Sequence, residues 1–135
     1  MITHLLDTSV YSQRIRKGPV KGVVRRWEAL GDASLAISTI CEAEVLFGLE
    51  KQASPRLWLE YRHYLENRLV VLPLERKAIE AYARIKARTQ ADGFVIGEFD
   101  LLIGATALAH GLTLATLNVR DFGKIPDLLV EDWSR

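Results

Sequence analysis

Four acidic side chains fall where a folded α/β chain would gather its chemistry. Asp7 closes the apolar stretch in LLDTSV, and Glu44 lies inside STICEAEVLFG. Asp100 opens DLLIGATALAHG, and Asp121 follows the apolar TLAT in TLNVRDFGKIPD. Carboxylates brought together repel one another, so without a cation some of them take up protons or move apart. Mg²⁺ and Mn²⁺ are hard cations that prefer oxygen ligands. A bound ion reverses the repulsion, lowers the pKa of an attacking water and stabilises charge on a phosphoryl oxygen. Such a cluster repels a nucleic-acid backbone when no ion is present, so a site that cuts phosphodiesters calls for a basic patch nearby. The chain offers one candidate: no acid occurs between Asp7 and Glu28, whereas Arg14, Arg16, Lys17, Lys21, Arg25 and Arg26 all do. A solvated helical face is the plainer reading of that run.

Each acid also has a plainer reading when taken singly. Asp7, Thr8 and Ser9 can cap the following helix. Asp100 suits the positive end of its own helix, and Asp121 suits a turn. Glu44 is harder to dismiss. Ser38 or Thr39 caps a helix over Ile40–Leu49 whose apolar residues surround the axis, the mark of a buried helix. Glu42 and Glu44 are about 200° apart on that wheel, so at least one points into a crowded neighbourhood, where an unpaired charge needs compensation. Helical phase alone does not choose between them.

The elements that must position these acids alternate between strand and helix. Thr3–Asp7 reads as a strand and Thr8–Lys17 as a helix stopped by Gly18-Pro19. Val20–Leu30 forms a second helix, with Val20, Val23, Val24, Trp27 and Leu30 as its stripe. Leu35–Ile37 is a strand. Ser54-Pro55 begins a helix with Leu57, Trp58, Tyr61, Tyr64 and Leu65 at helical spacing. Leu69–Leu72 is an apolar strand, and Glu75–Ala91 a helix closed by Asp92-Gly93. Phe99–His110 is a helix with Gly111 just past its end. Leu112–Thr116 and Leu128–Val130 are the last strands. Strands joined through helices imply an α/β domain with a mostly parallel sheet between helical layers, and sites on such sheets lie beyond the strands' carboxyl ends.

The chain has 135 residues, 49% hydrophobic and 26% charged, with net charge +1, which fits one globular domain over 1–135. No apolar run approaches the roughly 20 residues that span a bilayer. With Asp7 interrupting any leader-like start and Cys41 alone, a cytoplasmic location and no internal disulfide are expected. His4, His63 and His110 lack zinc-binding spacing. Cys41 reads as a small core residue, the Trp58-Tyr61-Tyr64 stripe as packing, and no glycine-rich phosphate loop occurs. A receiver-type signalling domain would need an acceptor Asp after its third strand, and LVVLPLERK has none.

The ordered stretches LLDTSV, ISTICEAEVLFGLE and FDLLIGATALAHGLTLATLNVRDF resemble those of PIN-domain nucleases, closest to the VapC-type toxins of toxin–antitoxin pairs. The resemblance implies a three-layer α/β/α sandwich. It singles out Glu44, directly before the apolar pair and the aromatic-glycine, and leaves Glu42 as an extra acid. It further implies that Asp7 and Asp100 ligate Mg²⁺ or Mn²⁺ and that Glu44 acts through water. Thr8 and Ser9 would give support. Where many PIN domains carry a fourth carboxylate this chain has Asn118, with Asp121 one helical turn on as its substitute. The implied activity is an endoribonuclease that leaves a 5′-phosphate, forms a homodimer and is silenced by a VapB-like antitoxin. A PIN domain that has lost catalysis would have Asn118 as its sole support.

Overall fold

The computed structural model describes residues 1–135. Five strands, β1 (His4–Leu6), β2 (Leu35–Ser38), β3 (Val70–Leu72), β4 (Thr113–Thr116) and β5 (Val130–Asp132), form one sheet in the order β3-β2-β1-β4-β5. Every neighbouring pair is parallel. Seven helices join them: α1 (Thr8–Tyr11), α2 (Lys21–Leu30), α3 (Thr39–Gln52), α4 (Pro55–Tyr64), α5 (Arg76–Ala91), α6 (Glu98–Ala109) and α7 (Val119–Phe122). The expected three-layer α/β/α sandwich is what forms. Alternation along the strands builds two cores. Leu6, Leu35, Ile37 and Ala115 pack with Val10, Trp27, Val45 and Tyr61 of α1–α4 on one face. Leu5, Ala36 and Leu114 pack with Ala81, Ile85, Ile103 and Phe122 of α5–α7 on the other.

Strand order reverses direction between β1 and β4, where successive crossovers diverge to the two halves of the sheet. Ligands of open α/β sheets bind in the crevice beyond such a point. The local caps bring the chain there. Asp7 accepts from the Val10 amide at 3.0 Å and caps α1. Ser38 caps α3 through the Cys41 amide at 3.1 Å, and Ser54 caps α4 through Leu57 at 3.3 Å.

Five elements depart from the sequence expectation. The helix expected over Thr8–Lys17 stops at Tyr11 and tightens into a 3₁₀ turn over Ser12–Ile15. Buried Gln13 ties that turn back, donating to the Ser9 carbonyl and accepting from the Val20 amide, both at 3.1 Å. Helix α3 is not buried all round: Cys41, Val45 and Leu49 enter the core, while Phe47 is 68% exposed. β3 is an edge strand, which leaves Val70 half exposed. β5 sits two residues later than Leu128–Val130, because buried Trp133 anchors it and its amide reaches the Thr116 carbonyl at 3.1 Å. The aromatic stripe of α4 divides, with Tyr61 buried and Tyr64 exposed.

Gly22 is required by close approach. A Cβ there would lie 2.5 Å from the Trp133 carbonyl oxygen and 2.8 Å from that of Arg135, both main-chain atoms. Alanine ordinarily favours a helix by about 1 kcal/mol over glycine. Gly22→Ala nevertheless lowers stability, by about 1–3 kcal/mol as for other overpacked sites, measured as the shift in urea midpoint.

Candidate active site

Asp7 is 4% exposed at the end of β1. Its Oδ1 accepts from the Ser9 hydroxyl at 2.6 Å as well as from Val10, and its Oδ2 accepts from the Thr116 hydroxyl at 2.6 Å. Burial pushes its carboxyl up, and these donors pull partly against that. Thr116 in turn accepts from the Asn118 amide at 2.8 Å, and the Ser9 hydroxyl accepts from the Leu117 amide at 3.1 Å. Two hydroxyls thus fasten the Asp7 carboxylate to the end of β4, across the point where strand order reverses.

Half-buried Glu44 accepts from the Thr8 hydroxyl at 2.6 Å. Asp121 accepts from the Asn118 side-chain amide at 3.1 Å and has Lys124 at 3.8 Å. The short helix α7, with Asn118 at its N-cap, sets Asp121 one helical turn on, and fully buried Phe122 holds it down. Asp100 lies in the first turn of α6 and has no such partner. Its carboxyl is pushed up to about 6, by burial first and then by the charges of Asp7, Glu44 and Asp121. Glu44, Gly97, Phe99 and Asp100 share a shallow cleft of about 420 Å³.

The four predicted acids therefore come within range of one another's charge, from four separate parts of the chain. As they stand, no three His, Cys, Asp or Glu side chains are close enough to enclose a metal ion. Asp7, Glu44 and Asp121 each accept from a neighbouring hydroxyl or amide. The donor set, all oxygen, with Asp100 uncompensated, suits a hard divalent cation. Of the two hydroxyls expected beside Asp7, Ser9 donates to it, while Thr8 donates to Glu44 instead. Thr116 was missed; its signal was a hydroxyl at the carboxyl end of an otherwise apolar strand.

The basic run does not form one patch. Arg16 and Lys17 line a cavity with Thr8 and Glu44. Arg14 lies over the Trp27 ring at 4.6 Å, and Arg26 has Glu131 at 3.8 Å. Lys21 and Arg25 line a separate shallow groove with Glu28. Outside the cluster, His4 contacts Glu131 at 3.1 Å, and Cys41 is buried, with its thiol pushed up by desolvation. Glu42 is half-buried on α3, a residue of the helix that makes no hydrogen bond within the acid cluster.

Comparison with known proteins adds to this geometry. The family model described as "PIN domain" matches residues 4–128. The chain is 30% identical over 134 residues to the tRNA(fMet)-specific endonuclease VapC of Shigella flexneri, covering 99% of this chain and 100% of that one. It is 29% identical over 133 residues to Ribonuclease VapC2 of Rickettsia felis, covering 98% of each. The solved structure of DNA-bound VapBC from Salmonella typhimurium contains a chain that superposes with a TM-score of 0.88 at 29% identity, covering 98% of this chain and 99% of that one.

The raised Asp100 pKa fixes a direction for stability in metal-free protein. Between the ordinary value of 3.8 and about 6 the folded state holds the proton that the unfolded state has released. Stability from this group is therefore greatest below pH 4 and is lost as pH rises through 6. Urea midpoints taken with chelator from pH 4 to 7 should show Asp100→Asn gaining on wild type as pH rises.

Proposed function

The chain belongs to the PIN-domain family, and from that membership together with its acid cluster we propose that it is a VapC-type toxin, an endoribonuclease dependent on Mg²⁺ or Mn²⁺. The observation that carries this reading is that Glu44 and Asp100 share a cleft, with Asp7 and Asp121 near enough for their charges to act on Asp100. Asp7 and Asp100 would hold the ion, with Glu44 acting through water and Asp121 supplying the carboxylate absent at Asn118. When bound, the ion offsets the carboxylates' repulsion, strengthens water as a nucleophile and stabilises charge on the scissile phosphate.

The protein's own part is positioning. Thr116 and Ser9 fix both Asp7 oxygens, so that carboxylate cannot swing away from the crevice. Thr8 occupies Glu44 Oε1 and leaves Oε2 to orient an attacking water. Asn118 holds Asp121 toward the site. In-line attack on the phosphate leaves a 5′-phosphate and a 3′-hydroxyl. A PIN domain without catalysis is disfavoured, because Asp121 restores the charge lacking at Asn118.

VapBC relatives from Salmonella typhimurium and Rickettsia felis are solved as complexes bound to DNA. By analogy the partner of this chain is a VapB-like antitoxin. An antitoxin guanidinium among the acids would stand in for the cation and pair bidentately with a carboxylate. A homodimer acting in the cytoplasm completes the proposal. No helix is long and apolar enough to cross a membrane.

RNA incubated with Mn²⁺ and the wild-type protein should be cut, and chelator should stop it. Asp7→Ala and Asp100→Ala should each abolish cleavage while circular dichroism shows the fold retained; unchanged turnover in either would remove its assigned role. Thr116→Val should lower cleavage by about 10–100-fold, as loss of a ligand-orienting partner does elsewhere. Thr116→Ser, which keeps the hydroxyl, should retain most activity.

A further inference from the structure

Gly48 lies inside α3, where glycine costs about 1 kcal/mol relative to alanine. The fold gives it no packing reason. Gly22 has no room for a side chain, since a Cβ would fall 2.5 Å from the Trp133 carbonyl oxygen, and a Cβ on Gly104 would have to displace the Ile125 side chain, 2.6 Å away. A Cβ on Gly48 would meet nothing within 4 Å. Its backbone instead lines a cavity of about 500 Å³ to which Thr8 and Glu44 of the acid cluster also contribute. Arg16, Lys17 and Arg56 line the same cavity. Arg56 shares its charge with Glu60 at 2.9 Å, whereas Arg16 and Lys17 are exposed.

Glu44 borders both this cavity and the cleft that holds Asp100. A strand with one phosphate among the acids would have a path past Glu44 into the cavity. The cations there select an anion, and the volume is within the usual 300–1,000 Å³ of ligand pockets. Resting on the nuclease reading above, we propose that this cavity binds the sugar–phosphate backbone of the RNA next to the bond being cut. Arg16 and Lys17 hold its phosphates, and Gly48 is glycine so that the backbone can lie against α3. An acidic protein segment is the other occupant the charges would accept, and the test separates the two.

The probe is a single-stranded RNA oligonucleotide that the wild-type protein cuts. Gly48→Leu adds bulk on the cavity side, from a Cβ position with nothing within 4 Å, and should raise KM by roughly tenfold, one good contact's worth, with the urea midpoint unchanged or higher. Gly48→Ala, adding one methyl, should have a much smaller effect. In the Asp100→Asn background, which removes turnover, Arg16→Ala and Lys17→Ala should each flatten the plot of log affinity against log salt by about 0.7. Lys21→Ala and Arg25→Ala, in the separate groove, should leave that slope in place. An unchanged KM for Gly48→Leu and unchanged slopes for Arg16→Ala and Lys17→Ala would overturn the proposal and give the cavity to a protein segment. Wild-type protein inert toward RNA with Mn²⁺ contradicts the nuclease reading instead, and the binding slopes then judge the cavity separately.

Discussion

Repulsion among carboxylates is the constraint around which this molecule is arranged. Asp7 is almost completely buried, and its charge, with those of Glu44 and Asp121, reaches Asp100. Nothing about the fold's stability asks for that arrangement. An uncompensated charge in such a place costs several kcal/mol as an order of magnitude, and the shifted Asp100 carboxyl is the visible sign of the cost. The chain tolerates it by giving Asp7 three donors and Glu44 one. It also places the cluster where the sheet's strand order reverses, at a crevice the topology opens in any case.

Much of this was legible in the sequence. Apolar strands alternating with amphipathic helices gave the layered α/β fold, and the Ser38 and Ser54 caps fell where their residue types suggested. The acids stood out because they end or follow apolar segments. What could not be read depends on which partners the folded chain supplies. Thr116 matters because β4 lies beside β1, a pairing between residues 109 apart in sequence. The shift of β5 depends on Trp133 finding a buried seat, and the shortening of α1 on Gln13 bridging Ser9 and Val20. The choice between Glu42 and Glu44 came from the family resemblance, since helical phase could not make it; the structure then placed Glu44 against Thr8.

Charge and glycine show the same division between local pattern and tertiary placement. Six cations between Asp7 and Glu28 look like one patch along the chain. Folding sends Arg14 to Trp27 and Arg26 to Glu131, and leaves Arg16 and Lys17 beside the acid crevice. Glycines that look alike in sequence differ in the same way: Gly22 answers to a carbonyl it nearly touches, while Gly48 borders open space. A cleft with anionic and cationic walls side by side suits a ligand that carries phosphates and needs a cation at only one of them.

The claim that a hard cation relieves the acid cluster is tested most directly by calorimetric titration of metal-free protein with Mn²⁺ at pH 6, in two buffers of different ionisation enthalpy. Saturable binding should release protons, because burial and the neighbouring acids push the Asp100 carboxyl up to about 6, and Asp100→Asn should reduce the release. Absence of Mn²⁺ binding, or binding that releases no proton, would contradict the account.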